Sequence, residues 1–179
     1  MKKHTKILSI LAFAISASAY ITPRHQPRQP SPTASDGQEL VLKGETIYKQ
    51  LCISCHGVDG KGVALGGTTK MAPPLVGSAR VNSSKEAMVK ILLNGMAGPV
   101  DGVSYPAIMP ALGAGQTDEW VAAVVSYVRQ RFGEKKEGAG LIVHAAEVKA
   151  LRQTISGRAK PWTQVELETQ AEQKSAAGK

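Results

Sequence analysis

The chain has 179 residues, of which 42% are apolar and 20% charged, which is typical of a globular protein. Its two cysteines exclude a disulfide-rich scaffold and a four-thiolate zinc or iron–sulfur site. The net charge is +8, yet residues 36–133 carry nine basic and eight acidic side chains, so the surplus lies in the flanks. No basic stripe with interleaved aromatic residues is present, which argues against nucleic-acid binding.

The N-terminal segment has the pattern of an export signal. Three lysines precede a short apolar run at residues 7–14, and Ala17 and Ala19 fit the small-x-small rule for cleavage. We therefore predict a signal peptide at residues 1–19, cleavage after Ala19 and a periplasmic mature protein. The alternatives are a membrane anchor and a core helix. The run is shorter than the ~20 residues that span a bilayer, which argues against an anchor. Residues 20–35 contain four prolines and predict an extended linker.

The sequence predicts three helices within residues 36–133. Asp36 is the predicted N-cap of the first helix, with Glu39 as its capping-box partner, and this helix continues into Cys52. Gly44 interrupts its apolar face, which favours close packing against another helix.

The second helix is predicted to begin at Ser83 or Ser84 and to continue through Leu93. Thr117 begins the third, whose valine stripe ends before Gly133.

The segments between these helices are rich in glycine and proline. Residues 57–77 predict loops rather than strands, and residues 95–115 predict a loop with a short hairpin around Asp101. Beyond the core, residues 134–179 predict a helical C-terminal extension, with helices over 143–155 and after a capping box at Thr163.

The residues that carry chemistry are Cys52, Cys55 and His56, which form a C-x-x-C-H sequence. This is the attachment signature of a c-type haem. Two thiols three positions apart on one helical turn both reach the vinyl groups of one porphyrin edge, and His56 then ligates the iron. The motif therefore predicts one haem c, covalently attached through Cys52 and Cys55.

Three other interpretations compete for the same residues. A thioredoxin-like pair needs a βαβ setting, which the helix–loop–helix pattern does not provide. A zinc site would need a fourth ligand from His25, His144 or a carboxylate. A small disulfide between Cys52 and Cys55 is the third alternative.

The sixth iron ligand is predicted to be Met109, which precedes Pro110 in a loop and is hard to explain as core packing. Its thioether gives His/Met ligation, which raises the reduction potential. Met96 is the rival. Met71 lies close behind the attachment site, and Met88 lies on an apolar helix face.

These motifs resemble those of bacterial monohaem cytochromes c with His/Met iron. The matching pieces occur in order over about residues 36–133: Gly44-x-x-Ile47-Tyr48, Cys52 to Gly57, Asp59-Gly60-x-Gly62, Ala72 to Leu75, Met109 to Gly113, and Thr117-Asp118-Glu119 leading into Tyr127-Val128-Arg129. The resemblance implies an all-α fold of three to five helices wrapped around one haem, with long loops. It also implies that the first and last core helices cross near Gly44. A loop carbonyl near Pro73 or Pro74 is implied to orient the imidazole of His56, which places Pro74 among the haem-binding candidates.

A narrower resemblance concerns Gly95-x-x-Gly98-Pro99-Val100 and the tail from Gly157 to Leu167. Both are similar to cytochrome domains associated with periplasmic quinoprotein dehydrogenases of sugars or alcohols. The resemblance implies a dehydrogenase as electron donor and a terminal oxidase or another cytochrome as acceptor. Residues 134–179 then have two interpretations: a docking element for such a partner, or a structural cover over the core.

Arg80 also has two interpretations. It follows the proline loop, which favours pairing with a haem propionate, and it equally suits a solvated surface charge.

The function predicted from these observations is electron transfer by an iron that cycles between Fe(III) and Fe(II), in a carrier rather than an enzyme. Two alternatives stay open. One is a fixed haem subunit of a larger dehydrogenase or oxidase. The other is a gas-binding or catalytic haem protein with a labile sixth ligand, for which His144 is the late candidate for a distal residue.

Overall fold

The architecture is helical, with one small hairpin. The computed structural model describes residues 34–134 and 140–178; the predicted signal peptide and nearly all of the linker lie outside them. The elements in chain order are α1 (Ala34–Ile47), a π-helical turn (Tyr48–Cys52), α2 (Ile53–His56), β1 (Ala64–Gly66), β2 (Thr69–Lys70), α3 (Ala79–Asn82), α4 (Lys85–Asn94), α5 (Asp118–Phe132), α6 (Ala145–Thr154) and α7 (Gln164–Ala177).

The predicted fold class is confirmed, with a correction at residues 57–77. Five α-helices lie between the linker and residue 133, and two more lie in the C-terminal extension. The segment predicted to contain loops alone forms the antiparallel hairpin β1–β2. Gly66 and Gly67 have φ angles of 124° and 55°, which the tight connection requires. Both strands lie at the surface, so they lack the alternating apolar pattern that reveals a strand.

The helix starts agree with the sequence at two of three positions. Ser84 accepts a hydrogen bond from the backbone N–H of Ala87, and Thr117 accepts one from Trp120. The predicted N-cap of α1 at Asp36 is wrong, because the helix begins at Ala34 and contains Asp36 in its first turn. A carboxylate there still lies near the positive end of the helix dipole.

Helix α5 forms the centre of the core. Its valine stripe is almost entirely buried, and α1, α4 and α6 pack around it. Helices α1 and α5 cross at Gly44, where a Cβ atom would overlap the backbone carbonyl of Ala123, as the resemblance implied.

The C-terminal extension covers the core. Val143 and Val148 are fully buried beside α5, and the hydroxyl of Ser126 accepts from the backbone N–H of Val143 at 2.9 Å. Arg152 of α6 donates to Asp118 at 2.9 Å and to the carbonyl of Gln116 at 3.0 Å. Helix α6 therefore packs over the core, as the structural-cover interpretation of this segment expects.

No helix within the described ranges has both the length and the apolar character needed to cross a membrane.

Candidate haem site

The attachment motif lies where α1 ends in a π-helical turn. The turn finishes at Cys52, and α2 carries Cys55 and His56. Cys52 is buried, Cys55 is partly exposed, and neither thiol is in a disulfide. A single extra residue in a helical turn shifts the side chains that follow, and such π turns are frequent at functional sites.

The imidazole of His56 is held by the proline loop. Its Nδ1 lies 3.2 Å from the carbonyl oxygen of Pro73, and because that oxygen can only accept, Nδ1 carries the proton. Nε2 is then the nitrogen left for a metal, the usual arrangement of a ligating histidine. The carbonyl belongs to Pro73 rather than to Pro74, although both prolines line the same cavity beside the motif. Burial lowers the pKa of His56, which keeps the ring neutral.

The loop that follows the motif is fixed by three hydrogen bonds. The hydroxyl of Tyr48 donates to the carbonyl of Gly57 at 2.6 Å, and burial raises the pKa of this phenol. The backbone N–H of Gly62 donates to the backbone carbonyl of His56 at 2.9 Å, and that of Val63 donates to the backbone carbonyl of Cys55 at 3.0 Å. The motif is therefore rigid on its C-terminal side as well as on its helical side.

Two adjoining cavities meet at the motif. The outer cavity has a volume of about 410 Å³ and includes both cysteines. The inner cavity, of about 70 Å³, extends toward the valines of α5. Five residues line both cavities: Cys52, His56, Pro73, Met96 and Met109.

Met109 and Met96 form one pair on the cavity wall. Each backbone N–H donates to the carbonyl of the other, at 3.0 and 2.9 Å, so the two side chains project to the same side. Met96 is 7% exposed and packs in a buried cluster with Trp162 and Ile91. Met109 is only partly buried and touches both hydrophobic clusters. Met71 lines the outer cavity and Met88 the inner one.

Arg80 is not a solvated surface charge. Its residue is 9% exposed, it lines the inner cavity, and its guanidinium donates to both carboxylate oxygens of Asp101 at 3.1 and 2.5 Å. The bidentate pair lowers the pKa of Asp101. A propionate at the inner cavity would share this cation with Asp101.

The competing interpretations of the cysteines find no support in this geometry. Burial raises the pKa of Cys52 to about 11, whereas a redox dithiol needs a lowered one. Within the two described ranges, no three His, Cys, Asp or Glu side chains converge as a metal site. His144 lies at the start of α6, where its N–H donates to Glu147, and it lines neither cavity. His25 lies outside the described residues.

The residues present fit a haem. The outer cavity lies within the roughly 300–1,000 Å³ of a typical small-molecule site. It combines two thiols outside any disulfide, a neutral imidazole with an oriented ring and the thioethers of Met71, Met96 and Met109. Thiols, an imidazole and a thioether are the groups that attach and ligate a c-type haem.

Residues 41–131 match the model of the cytochrome c family. The chain belongs to the cytochrome c family. It is 30% identical over 122 residues to the protein named alcohol dehydrogenase (quinone), cytochrome c subunit, of Gluconacetobacter polyoxogenes, a match that covers 67% of this chain and 24% of the relative. It is 31% identical over 115 residues to the fructose dehydrogenase cytochrome subunit of Gluconobacter japonicus, covering 61% of this chain and 22% of that one.

A third relative of this cytochrome c comes from another kind of complex. The Cbb3-type cytochrome c oxidase subunit CcoP of Azospirillum brasilense is 32% identical over 94 residues, covering 52% of this chain and 29% of the relative. The chain thus spans about a quarter of the length of these relatives. The narrower resemblance to dehydrogenase-associated cytochromes is confirmed.

The sequence did not reveal two contributors to the site. Tyr48 lines the inner cavity and anchors the loop after the motif; in the sequence it is part of a family-matching piece, but nothing there indicates this role. Trp162, far along the chain, bonds to the backbone on either side of Met96, a long-range contact that no local pattern encodes.

Proposed function

We propose that this cytochrome c is a periplasmic electron carrier with one haem c attached through Cys52 and Cys55. His56 and Met109 would ligate the iron of this haem. The observation that carries the proposal is the convergence of both cysteines, His56 and the methionine pair on the wall of one cavity. A haem bound there supplies one-electron chemistry between ferric and ferrous iron.

The chain's own residues support this use. Pro73 holds the protonated Nδ1 of His56, so the imidazole keeps its orientation through many redox cycles. The apolar side chains of α4 and α5 exclude water from the inner cavity. Arg80 lines that cavity and is the residue that we assign to a haem propionate; Pro74 lines the same cavity.

The partners that we propose are other redox proteins, with a dehydrogenase as donor and a respiratory acceptor such as a terminal oxidase or another cytochrome. This assignment is supported by relatives that are named as cytochrome subunits of dehydrogenases and of an oxidase. The same names favour a second candidate, in which the chain is a fixed haem subunit of such a complex. Copurification with a quinoprotein dehydrogenase would favour the second candidate, and a monodisperse monomer would favour the free carrier.

The test is an absorption series on the full chain, produced in a host that attaches c-type haem. Oxidised, reduced, and reduced samples with carbon monoxide are compared. A c-type reduced spectrum that carbon monoxide leaves unchanged supports a six-coordinate carrier, and a spectrum that shifts favours a labile ligand. Cys52→Ser and Cys55→Ser each leave one attachment point, whereas Ser54→Ala is the matched control and keeps both. Absence of haem from the wild-type protein would contradict the proposal.

A further inference from the structure

A segment of the C-terminal extension runs directly beside the methionine loop. We call residues 158–167 the strap. The backbone N–H of Trp162 donates to the carbonyl of Gly95 at 3.0 Å, and the N–H of Ala97 donates to the carbonyl of Trp162 at 2.8 Å. These two bonds enclose Met96, which pairs with Trp162 as a parallel bridge.

The opposite edge of Met96 is bonded to Met109. Met96 is therefore the middle of three short backbone segments, with the strap on one side and Met109 on the other. Gly95 has a φ of 79°, and a Cβ atom on it would overlap the carbonyl of Met109, so the segments approach closely. The strap is thus joined through Met96 to the backbone that carries Met109.

The strap is fastened from within by the side chain of Arg158. Its guanidinium lies 3.6 Å from the ring centroid of Trp162 and donates to both carboxylate oxygens of Glu166 at 2.9 and 2.8 Å. Glu166 also accepts from the backbone N–H of Thr163 at 2.8 Å, the capping box that begins α7. Cation, ring and carboxylate thus hold the strap in one conformation.

The strap is also fastened to the core. Trp162 is 3% exposed and packs with Met96, Ile91 and Leu167. The side-chain amide of Asn94 donates to the carbonyl of Arg158 at 2.9 Å. These contacts tie the strap to the end of α4.

A third attachment reaches the exposed part of the methionine loop. Gln164 accepts from the backbone N–H of Asp101 at 2.7 Å and donates to its carboxylate at 3.2 Å. Most of residues 101–108 is exposed, so burial contributes little to their order. The strap supplies fixed partners at Gly95, Ala97 and Asp101, before and within this exposed stretch.

We propose that the strap is a positioning element for the sixth iron ligand: it holds Met109 in place through Met96 and keeps the iron closed to outside ligands. Trp162 and the Arg158–Glu166 pair are positioning residues in this role, since none of them lines either cavity. The inference rests on the proposed function, because it assumes that Met109 ligates iron.

The test compares four haem-loaded proteins: wild type, Trp162→Ala, Trp162→Phe and Val165→Ala. Val165 is the matched control because it lies in the same segment and is 70% exposed. We expect that carbon monoxide leaves the reduced absorption spectra of wild type, Trp162→Phe and Val165→Ala unchanged. Trp162→Ala should bind it at least about tenfold more tightly, since loss of contacts worth about 1.4 kcal/mol changes an equilibrium by that factor.

Glu166→Gln provides a second variant should Trp162→Ala fail to fold. It leaves the indole in place and weakens only the fastening to Arg158 and Thr163, so an increase in carbon monoxide affinity over Val165→Ala supports the proposal. A readout without haem is hydrogen exchange at the Met109 amide, which should be faster in either variant.

The outcomes separate the two claims. A wild-type protein that lacks haem or binds carbon monoxide freely contradicts the proposed function itself, and the strap's closing role with it. A closed wild type with equally closed, folded Trp162→Ala and Glu166→Gln variants overturns the strap alone.

Discussion

A Cβ atom on Gly44 would overlap the carbonyl of Ala123, so α1 and α5 meet backbone to backbone at their crossing. The β-carbon of Tyr127 lies against the same point. Helix α1 leads into the π-helical turn that ends at Cys52, while α5 supplies the valines of the inner cavity. The crossing therefore sets the position of the attachment motif relative to the α5 valines that line the inner cavity.

The first prediction concerns this crossing. Gly44→Ala should lower the free energy of unfolding by about 1–3 kcal/mol, the usual cost of overpacking, because neither backbone can withdraw easily. Gly37→Ala on the same helix is the control: its new methyl group would meet Ile142 at 3.6 Å, an ordinary contact. We expect it to be neutral or to stabilise by up to about 1 kcal/mol. Urea unfolding of both haem-loaded variants measures the difference, and equal stabilities would contradict the close crossing.

The second prediction distinguishes the two methionines on the cavity wall. Met109→Leu should open the iron to carbon monoxide and lower the midpoint potential, because a thioether ligand raises it. Met96→Leu should remain closed, since Met96 is accounted for by its packing against Trp162. Carbon monoxide titration and redox potentiometry measure both effects. The reverse pattern would transfer the ligand role to Met96.

The third prediction concerns the buried cation at the inner cavity. Arg80→Gln should lower the midpoint potential, because removal of a nearby positive charge favours the ferric iron over the ferrous one. Lys61→Gln is the control, since Lys61 also faces a carboxylate, that of Asp59, but its side chain is 69% exposed. Its potential should not change. An unchanged midpoint potential in Arg80→Gln would indicate that the guanidinium interacts with Asp101 and not with the haem.

The fourth prediction concerns acid. A hydrogen bond from Arg80 lowers the pKa of Asp101, and hydrogen bonds from the Thr163 N–H and from Arg158 lower the pKa of Glu166. Because both pKa values lie below those of the unfolded chain, the stabilisation is complete above the usual carboxyl range of about 4 and is lost as pH falls through the lowered values.

We therefore expect the thermal midpoint to fall in acid below about pH 4 and to be insensitive to these two groups near neutrality. Glu166→Gln removes one of the titrating groups, so its midpoint should depend less steeply on pH than that of wild type. Thermal melts over a pH series measure both slopes. Parallel curves would show that Glu166 contributes nothing to the acid sensitivity.

Much of the core was predictable because its signals are local. Thr117, Ser84 and Gly133 mark helix ends through bonds to residues a few positions away, and the haem motif is contiguous in the chain. The start of α1 was misplaced because an acidic residue serves almost equally well at an N-cap and in the first turn.

The rest of the site depends on contacts between distant segments. Nothing in the sequence places the carboxylate of Asp101 on Arg80, so the burial of that arginine was not foreseen. Trp162 is joined to the residues on either side of Met96 by backbone hydrogen bonds, and such bonds do not depend on which side chains are present. The residues that we propose for haem attachment and ligation are therefore marked by local motifs in the sequence, whereas the contacts that hold them in place are not.

The order of the segments along the chain bears on when the strap can close. The cysteine pair comes first, the methionine loop follows, and the strap comes last. Long-range contacts form late because their loop-closure entropy has to be overcome first. In a chain that folds from its N-terminal end, both thiols would therefore be available for haem attachment before the strap closes over the methionine loop.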